Sequence, residues 1–336
     1  MDEPVTESVL TVSVVVCAFA ARRWRDLVAA VGSLAVQSRA PDEIVVVIDH
    51  NSALERRAAA ELPAARVLAS AHAPGLSGAR NSGVEAASGD VIAFMDDDAI
   101  ADRDWLRTLL AHYRDPQVIA VGGAVVPRWE GGRPRGYPEE FDWVVGCTYR
   151  GMPTERTAVR NLIGANMSFR RAVFRTVGGF SDGIGRVGTL AAGCEETELC
   201  IRAGAAFPTC VILYEPAARV SHRVPAARAS WRYFGERCYR EGRSKAQITK
   251  LAGIGSGLAS ERAHAARTIP IGVVSGLRTA LAGDRAGLVR AAALVGGLSV
   301  TTLGFIVGRA RPPAWAGARV GEGGARVHRP SGESAT

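Results

Sequence analysis

The sequence predicts an α/β fold, a mostly parallel sheet flanked by helices, followed by a C-terminal helical region. Three observations predict it. β-Branched apolar runs at 11–17, 43–49 and 91–95 have the length and composition of buried parallel strands. Segments with helical spacing of apolar residues separate them, which gives βαβ units with helices on both sheet faces. The charge balance then changes along the chain. Residues 1–218 hold 22 Lys/Arg against 27 Asp/Glu, whereas residues 219–311 hold 16 against 4.

In order, the first strand is Thr11-Val-Ser-Val-Val-Val-Cys17. Leu27, Val31 and Leu34 mark a helix over 25–38, ended before Pro41. The second strand is Glu43-Ile-Val-Val-Val-Ile-Asp49, followed by a polar helix at 53–61 and a short third strand at 65–68. A helix at 78–87 leads to the fourth strand, 91–95. Asp102 and Asp104 stand where they would cap a helix beginning at Trp105. Val118–Val126 reads as a strand, 127–160 as a Gly-, Pro- and charge-rich loop, Asn161–Phe169 as a strand and 194–205 as a short helix. A short strand at Cys210–Leu213 precedes a Pro-containing loop. A cationic helix covers 228–250, two Gly/Ala/Val-rich segments cover 269–283 and 286–308, and the tail from 311 reads as disordered.

Composition narrows the function classes. The chain of 336 residues is 47% apolar and 22% charged, as in soluble globular proteins, and long enough to bury a core without covalent staples. Its six cysteines form no C-x-x-C pair, so zinc-ribbon and thioredoxin-like sites are excluded and reduced thiols in a cytosolic compartment are expected. The opening Met-Asp-Glu-Pro has no basic n-region, so no secretory signal is expected. The net charge of +8 is concentrated beside long uncharged stretches. That combination favours an anionic membrane surface over nucleic acid, and no nucleic-acid partner is expected.

Four places carry candidate chemistry. Asp96-Asp97-Asp98 closes the fourth strand, and alternation on an extended chain puts Asp96 and Asp98 on one face. Two adjacent carboxylates repel unless a cation neutralises them, and hard ions such as Mg²⁺ or Mn²⁺ suit oxygen ligands. In isolation an acidic helix-capping loop is the better explanation of the triplet. Its position at the carboxyl end of a parallel strand favours the ligand site. Asp49 ends the second strand and suits either a nucleoside contact or a helix cap. Gly75-Leu-Ser-Gly-Ala-Arg-Asn-Ser-Gly83 is neither a P-loop nor a dinucleotide fingerprint, and it places Arg80 near the start of a helix. In Gly193-Cys-Glu-Glu-Thr-Glu-Leu-Cys-Ile-Arg202, the helix dipole accounts for part of Glu195, and an i,i+4 pair with Arg202 for Glu198. Glu196 is left over as a candidate general base, with capping of the helix start the better reading by spacing alone. His222 reads as an exposed loop histidine unless a metal is nearby.

Taken in order, these residues resemble the family-2 glycosyltransferases of the GT-A fold. The resemblance runs from about residue 11 to about 245. It rests on Val12-Ser-Val-Val-Val-Cys17, Asp49, Gly78-Ala-Arg-Asn-Ser-Gly83, Ala93-Phe-Met-Asp-Asp-Asp98, Gly164-Ala-Asn-Met-Ser-Phe169, Gly178-Gly-Phe180, and Glu195-Glu196 ahead of Arg202. It implies an inverting transferase that uses a nucleotide-sugar, UDP-linked by the family's habit, with a divalent metal, Mn²⁺ or Mg²⁺. By resemblance, Asp49 and Asp96 bind the nucleoside, Arg80 lies near the nucleotide, Asp98 with Asp96 holds the metal, and His222 is a further metal ligand or a donor contact. The catalytic base comes from the acidic pair. The family's usual Glu-Asp is Glu195-Glu196 here, so Glu196 stands in the base's place with one extra methylene, and Glu195 is the alternative.

The expected organisation is a glycosyltransferase domain over 1–222, with a nucleotide-sugar half at about 11–115 and an acceptor half at about 116–222. A basic helical region at 223–310 and the tail 311–336 follow. Residues 291–308 are uncharged over 18 positions, and Gly272-x-x-x-Gly276 and Gly304-x-x-x-Gly308 suit close helix packing. Membrane association on the cytoplasmic side, at the inner face of the plasma membrane, is the expectation. It would suit a polyprenyl-phosphate-linked or other glycan acceptor in cell-envelope polysaccharide synthesis. Glycosylation of a soluble secondary metabolite, or an inactive sugar-nucleotide-binding scaffold, is the alternative.

Overall fold

The structure is a computed structural model, and it describes residues 10–181, 193–252 and 259–310. The expected tail from 311 and residues 1–9 lie outside these residues. Among the described residues nine strands form one sheet: β1 (Val12–Ala18), β2 (Glu43–Ile48), β3 (Arg66–Ala69), β4 (Val91–Asp96), β5 (Ala99–Ala101), β6 (Val118–Trp129), β7 (Thr157–Ala158), β8 (Asn166–Arg170) and β9 (Val211–Val224). Their order is β3-β2-β1-β4-β8-β6-β9-β5, with β7 paired to β9. The run β3-β2-β1-β4 is parallel, as is β6 with β9, while β8 runs antiparallel to both β4 and β6.

The helices are α1 (Trp24–Ala35), α2 (Ser52–Glu61), α3 (Leu76–Ala86), α4 (Trp105–Leu110), α5 (Arg171–Val177), α6 (Glu195–Ala206), α7 (Trp231–Ala252), α8 (Ala259–Ala263), α9 (Ile269–Leu281) and α10 (Ala286–Ala310). Strands β1 and β2 read as continuous apolar runs because both sheet faces are covered. Val12, Val14 and Val16 join Leu27, Val31 and Leu34 of α1 in one core. Val15, Val45 and Val47 join Ala79 of α3 and Phe94, Phe169 and Leu199 in the other.

Three local readings are corrected. The strand expected at Asn161–Phe169 begins at Asn166, because Asn166 N–H closes a turn on Ile163 O at 2.9 Å. Neither Asp102 nor Asp104 caps α4 with its carboxylate. Trp105 N–H bonds the Asp102 backbone carbonyl instead, and the Asp104 side chain accepts from Ser38 Oγ. The strand expected to stop at Leu213 continues to Val224. Its pairing with β6 skips from Glu215 to Arg219 opposite Gly123 and Ala124. That bulge accommodates Pro216, which has no N–H for the ladder. His222 is therefore on a buried strand, not in an exposed loop.

The segment expected as loop at 127–160 is partly ordered. β6 reaches Trp129, and a 3-10 stretch at Glu139–Val145 buries Phe141, Val144 and Val145. It anchors the C-terminal helices, since Arg290 Nη2 donates to the buried Glu140 Oε1 at 2.6 Å. Both G-x-x-x-G spacings serve close helix packing within the chain. Gly276 meets Gly287 and Ala291, and Gly308 meets Arg243 and Ala246. A Cβ at Gly304 would run into the Tyr239 carbonyl of α7. Gly304→Leu is expected to destabilise the protein by about 1–3 kcal/mol, the usual cost of overpacking. Denaturant unfolding measures it, and an unchanged midpoint would mean that α7 and α10 do not touch there.

The outer side of the α9–α10 hairpin carries an apolar stripe. Ile271 is 70% and Leu281 88% exposed, and Leu288, Val295, Leu303 and Ile306 are exposed with them. By length and composition, α10 is one helix that could cross a membrane.

Candidate active site

Register explains how the acidic strand end is built. Strand β4 lies beside β1, with Cys17 opposite Asp96, so the carboxylate emerges at the carboxyl edge of the parallel strands. The chain then turns into β5, which pairs antiparallel with β9 and sets Ala99 opposite His222. This pairing brings residues more than a hundred positions apart to one point. Asp98 Oδ1 lies 3.1 Å from His222 Nε2, and Asp96 Oδ2 lies 3.9 Å from the same nitrogen. One ligand atom from each of the three lies within 4.8 Å of the others. Two carboxylates and an imidazole are a donor set that fits Mn²⁺ or Mg²⁺.

The neighbours of this group are strongly polarised. Burial alone would depress the His222 imidazole, but the Asp98 carboxylate outweighs it and raises it to about 10. Burial would raise Asp98; His222 and then Arg23 outweigh it and hold that carboxyl well below the usual range. Arg23 is a residue that sequence reasoning missed. It follows β1 in a 3-10 turn, donates to Asp97 Oδ1 at 2.6 Å, and sits 2.8 Å from Asp98 Oδ2. Arg23 thus bridges Asp97 and Asp98, and Asp97 is not among the three residues whose ligand atoms cluster. The only local signal for Arg23 was the basic run Arg22-Arg23 just after the first strand.

Arg80 joins the strand end to the downstream glutamates. Fully buried on α3, it donates from Nη1 to Glu195 Oε1 at 2.9 Å and from Nη2 to the Gly164 carbonyl at 3.1 Å, with Asp96 Oδ1 at 3.6 Å. Gly164 is tight for this reason, since a Cβ there would lie 2.8 Å from Arg80 Nη2. Arg80, Asp96, Glu195 and Glu196 all line one cavity of about 270 Å³. The other Glu195 oxygen, Oε2, is buried in that cavity's wall with no hydrogen-bond partner. Glu196 is half-buried beside it. Withdrawal from water, and then the Glu195 charge, raise its carboxyl to about 8. As expected from spacing, Glu198 is engaged by Arg202, at 2.5 and 2.7 Å.

Asp49 is placed differently. It follows directly on β2, but it does not line the cavity. Its Oδ2 accepts the Gly75 N–H at 3.0 Å, which fixes the start of α3, and its Oδ1 faces His50 Nδ1 at 2.7 Å. The cap of α2 is Asn51, whose Oδ1 accepts from Leu54 N–H. Sequence reasoning also missed the rest of the cavity wall. Arg160, Arg237, Glu241, Lys245 and Glu261 line it, four of them beyond the expected domain boundary at 222.

Comparisons with known proteins bear on the family and the fold. Residues 13–178 match the profile of glycosyl transferase family 2. The chain is 37% identical over 240 residues to a glucosyl-dolichyl phosphate glucuronosyltransferase of Haloferax volcanii, covering 70% of this chain and 76% of that one. It is 34% identical over 160 residues to a pre-mycofactocin glycosyltransferase of Mycobacterium tuberculosis, covering 46% of this chain and 32% of the relative. Among solved structures, a Pyrobaculum calidifontis mannosyltransferase in complex with GDP-Man and Mn²⁺ superposes with a TM-score of 0.54 at 18% identity, covering 88% of this chain and 87% of that one. GalNAc-T7 with UDP, GalNAc and Mn²⁺ gives 0.51 at 18% identity; the match covers 77% of this chain and only 54% of the other. These two likenesses show the shared GT-A fold. On the strength of the relative from Haloferax volcanii and the family profile, the chain belongs to glycosyl transferase family 2 and is a glycosyltransferase.

Proposed function

We propose that the protein is an inverting transferase that moves a sugar from a nucleotide-sugar to a hydroxyl of a lipid-linked glycan acceptor. The observation that carries this reading is the Arg80 bridge, which ties Asp96 to Glu195 in the wall of one cavity that Glu196 shares. In this reading Asp96, Asp98 and His222 hold a divalent metal, and Asp49 and Asp96 face the nucleoside. When bound, that metal supplies positive charge against the diphosphate of the donor. Glu196 takes the proton of the acceptor hydroxyl. The hydroxyl oxygen bonds to the anomeric carbon while the bond from that carbon to the diphosphate oxygen breaks. Nucleoside diphosphate leaves on the opposite face, which inverts the anomeric configuration. Arg80 holds Glu195, and with it the start of α6, against the strand end, so that Glu196 is fixed relative to the donor.

Support for a lipid-linked acceptor comes from the Haloferax volcanii relative, named for transfer to a glucosyl-dolichyl phosphate, and from the exposed stripe on α9 and α10. The region 223–310 then serves as a membrane-facing half fused to the catalytic domain. The hairpin lies on the bilayer surface and does not cross it. α10 is fastened to α7, which carries Glu236, Arg240 and Arg243, while the exposed Arg278, Arg285 and Arg309 suit anionic headgroups. The full-length protein is expected to sediment with vesicles containing anionic phospholipid, and the combined change Ile271→Asp, Leu281→Asp and Ile306→Asp to release it. Sedimentation that survives this change would contradict the assignment of the stripe.

The direct test is a panel of UDP- and GDP-sugars with Mn²⁺ and a glycosyl dolichyl phosphate, with the product read by mass spectrometry and its anomeric configuration by NMR. One donor should yield an extended lipid-linked product of inverted configuration. Donor hydrolysis alone, or retention of configuration, would overturn the reading.

A further inference from the structure

The cavity carries a second charged group that the transfer chemistry above does not use. On α7, Arg237, Glu241 and Lys245 are spaced i, i+4 and i+8 and so share one face. Arg237 Nη1 donates to Glu241 Oε2 at 2.9 Å, and Lys245 Nζ lies 3.5 Å from Glu241 Oε1. Lys245 Nζ is also 2.6 Å from Glu261 Oε1. Arg160 closes the series with a two-pronged contact to Glu261, at 2.7 and 2.8 Å. The result is a ladder of alternating charge, Arg160–Glu261–Lys245–Glu241–Arg237, that begins and ends on a guanidinium.

All five residues line the cavity, and their side chains are between 11% and 29% exposed. Ion pairs withdrawn from water contribute little to stability, because desolvation offsets their attraction. This ladder therefore calls for another reason to exist. Within the ladder itself, among the described residues, three cations stand against two carboxylates; of the other carboxylates in the same wall, Glu195 is paired with Arg80 and Asp96 belongs to the metal-site group. A phosphodiester carries one negative charge, and guanidinium forks match its oxygens in two-pronged geometry. The apolar Trp143, Ile269 and Leu298 line the same cavity, and the last two belong to the hairpin whose outer side bears the exposed stripe. Anionic and apolar binding elements are thus joined on one set of helices.

We propose that this ladder seats the phosphodiester that links the acceptor sugar to its lipid, with the first units of the lipid on the apolar residues beside it. The proposal rests on the lipid-linked acceptor reading and names the part of the protein that selects it. It is tested with two acceptors of equal chain length, a glycosyl prenyl phosphate and the alkyl glycoside of the same sugar without phosphate. The wild-type protein should prefer the phosphate acceptor by at least a hundredfold in kcat/KM. Lys245→Gln, and separately the charge-conserving Arg237→Lys in case the first does not fold, should cut that preference at least tenfold, through KM for the phosphate acceptor. Equal use of both acceptors by the wild-type protein would overturn the phosphodiester seat while leaving sugar transfer standing. A rise in KM for the donor alone would overturn it as well, by assigning the ladder to an anionic donor sugar. Failure to glycosylate either acceptor would overturn the function on which the proposal rests.

Discussion

Glu196→Gln is expected to lower sugar transfer by about 10²–10⁴-fold, the usual contribution of a positioned general base, while nucleotide-sugar binding survives. Glutamine keeps the shape and hydrogen-bonding ends of the side chain but cannot take a proton. Burial and the neighbouring Glu195 raise the Glu196 carboxyl to about 8, so much of it is protonated near neutrality. A base acts only when ionised. The sign follows: kcat/KM of the wild-type protein should climb with pH up to about 8 and level off above it. The residual activity of Glu196→Gln should lack that limb. Near-normal turnover in this variant would move the base to Glu195, whose Oε2 is buried at the cavity without a partner.

Asp98→Ala is expected to lose rate and metal dependence together. The rate should fall by about 10³-fold, the size of effect that follows when several kcal/mol of charge stabilisation is removed. Structural damage is a separable contribution. Arg23 keeps Asp97 as a partner at 2.6 Å, and His222 keeps Asp96 at 3.9 Å, so the variant should stay folded with a modest fall in its unfolding midpoint. Mn²⁺ binding, followed by calorimetry on the same preparation, should drop in parallel with activity. Wild-type activity that persists in excess chelator would remove the metal from the account.

The parts of this molecule that are legible in the sequence are those written in local patterns. The apolar runs at β1, β2 and β4 and the helix from Trp24 announce themselves by period. The acidic run Asp96 to Asp98 announces itself at a strand end, but Asp97 and Asp98 form a turn and not the extended chain that alternation needs. The carboxylates of Asp96 and Asp98 meet at His222 through the β5–β9 pairing. Glu198 with Arg202 follows from helical spacing. What local pattern hides is pairing across the chain. Arg80 and Glu195 are 115 positions apart and meet where α3 and the first turn of α6 reach one cavity. His222 reads as a loop residue because Pro216 looks like a strand breaker, and only the bulge opposite Gly123 and Ala124 shows that the strand continues. For Asp49 the strand-end position is legible, whereas its hydrogen bond to Gly75 and its place outside the cavity wall are not. The basic block after 218 was visible as charge. Its division into a buried ladder facing the cavity and exposed arginines beside an apolar stripe depends on helix orientation, which composition does not record.

The account stands on one arrangement, a metal held by Asp96, Asp98 and His222 in the same pocket as the Glu195–Glu196 pair. Crystals grown with a nucleotide-sugar and Mn²⁺, measured at the manganese absorption edge, test it most directly. The account predicts a single strong anomalous peak bounded by Asp98, Asp96 and His222, with the diphosphate against it and the anomeric carbon facing Glu196. A manganese peak elsewhere, or a sugar bound away from the Arg80 bridge, would contradict it.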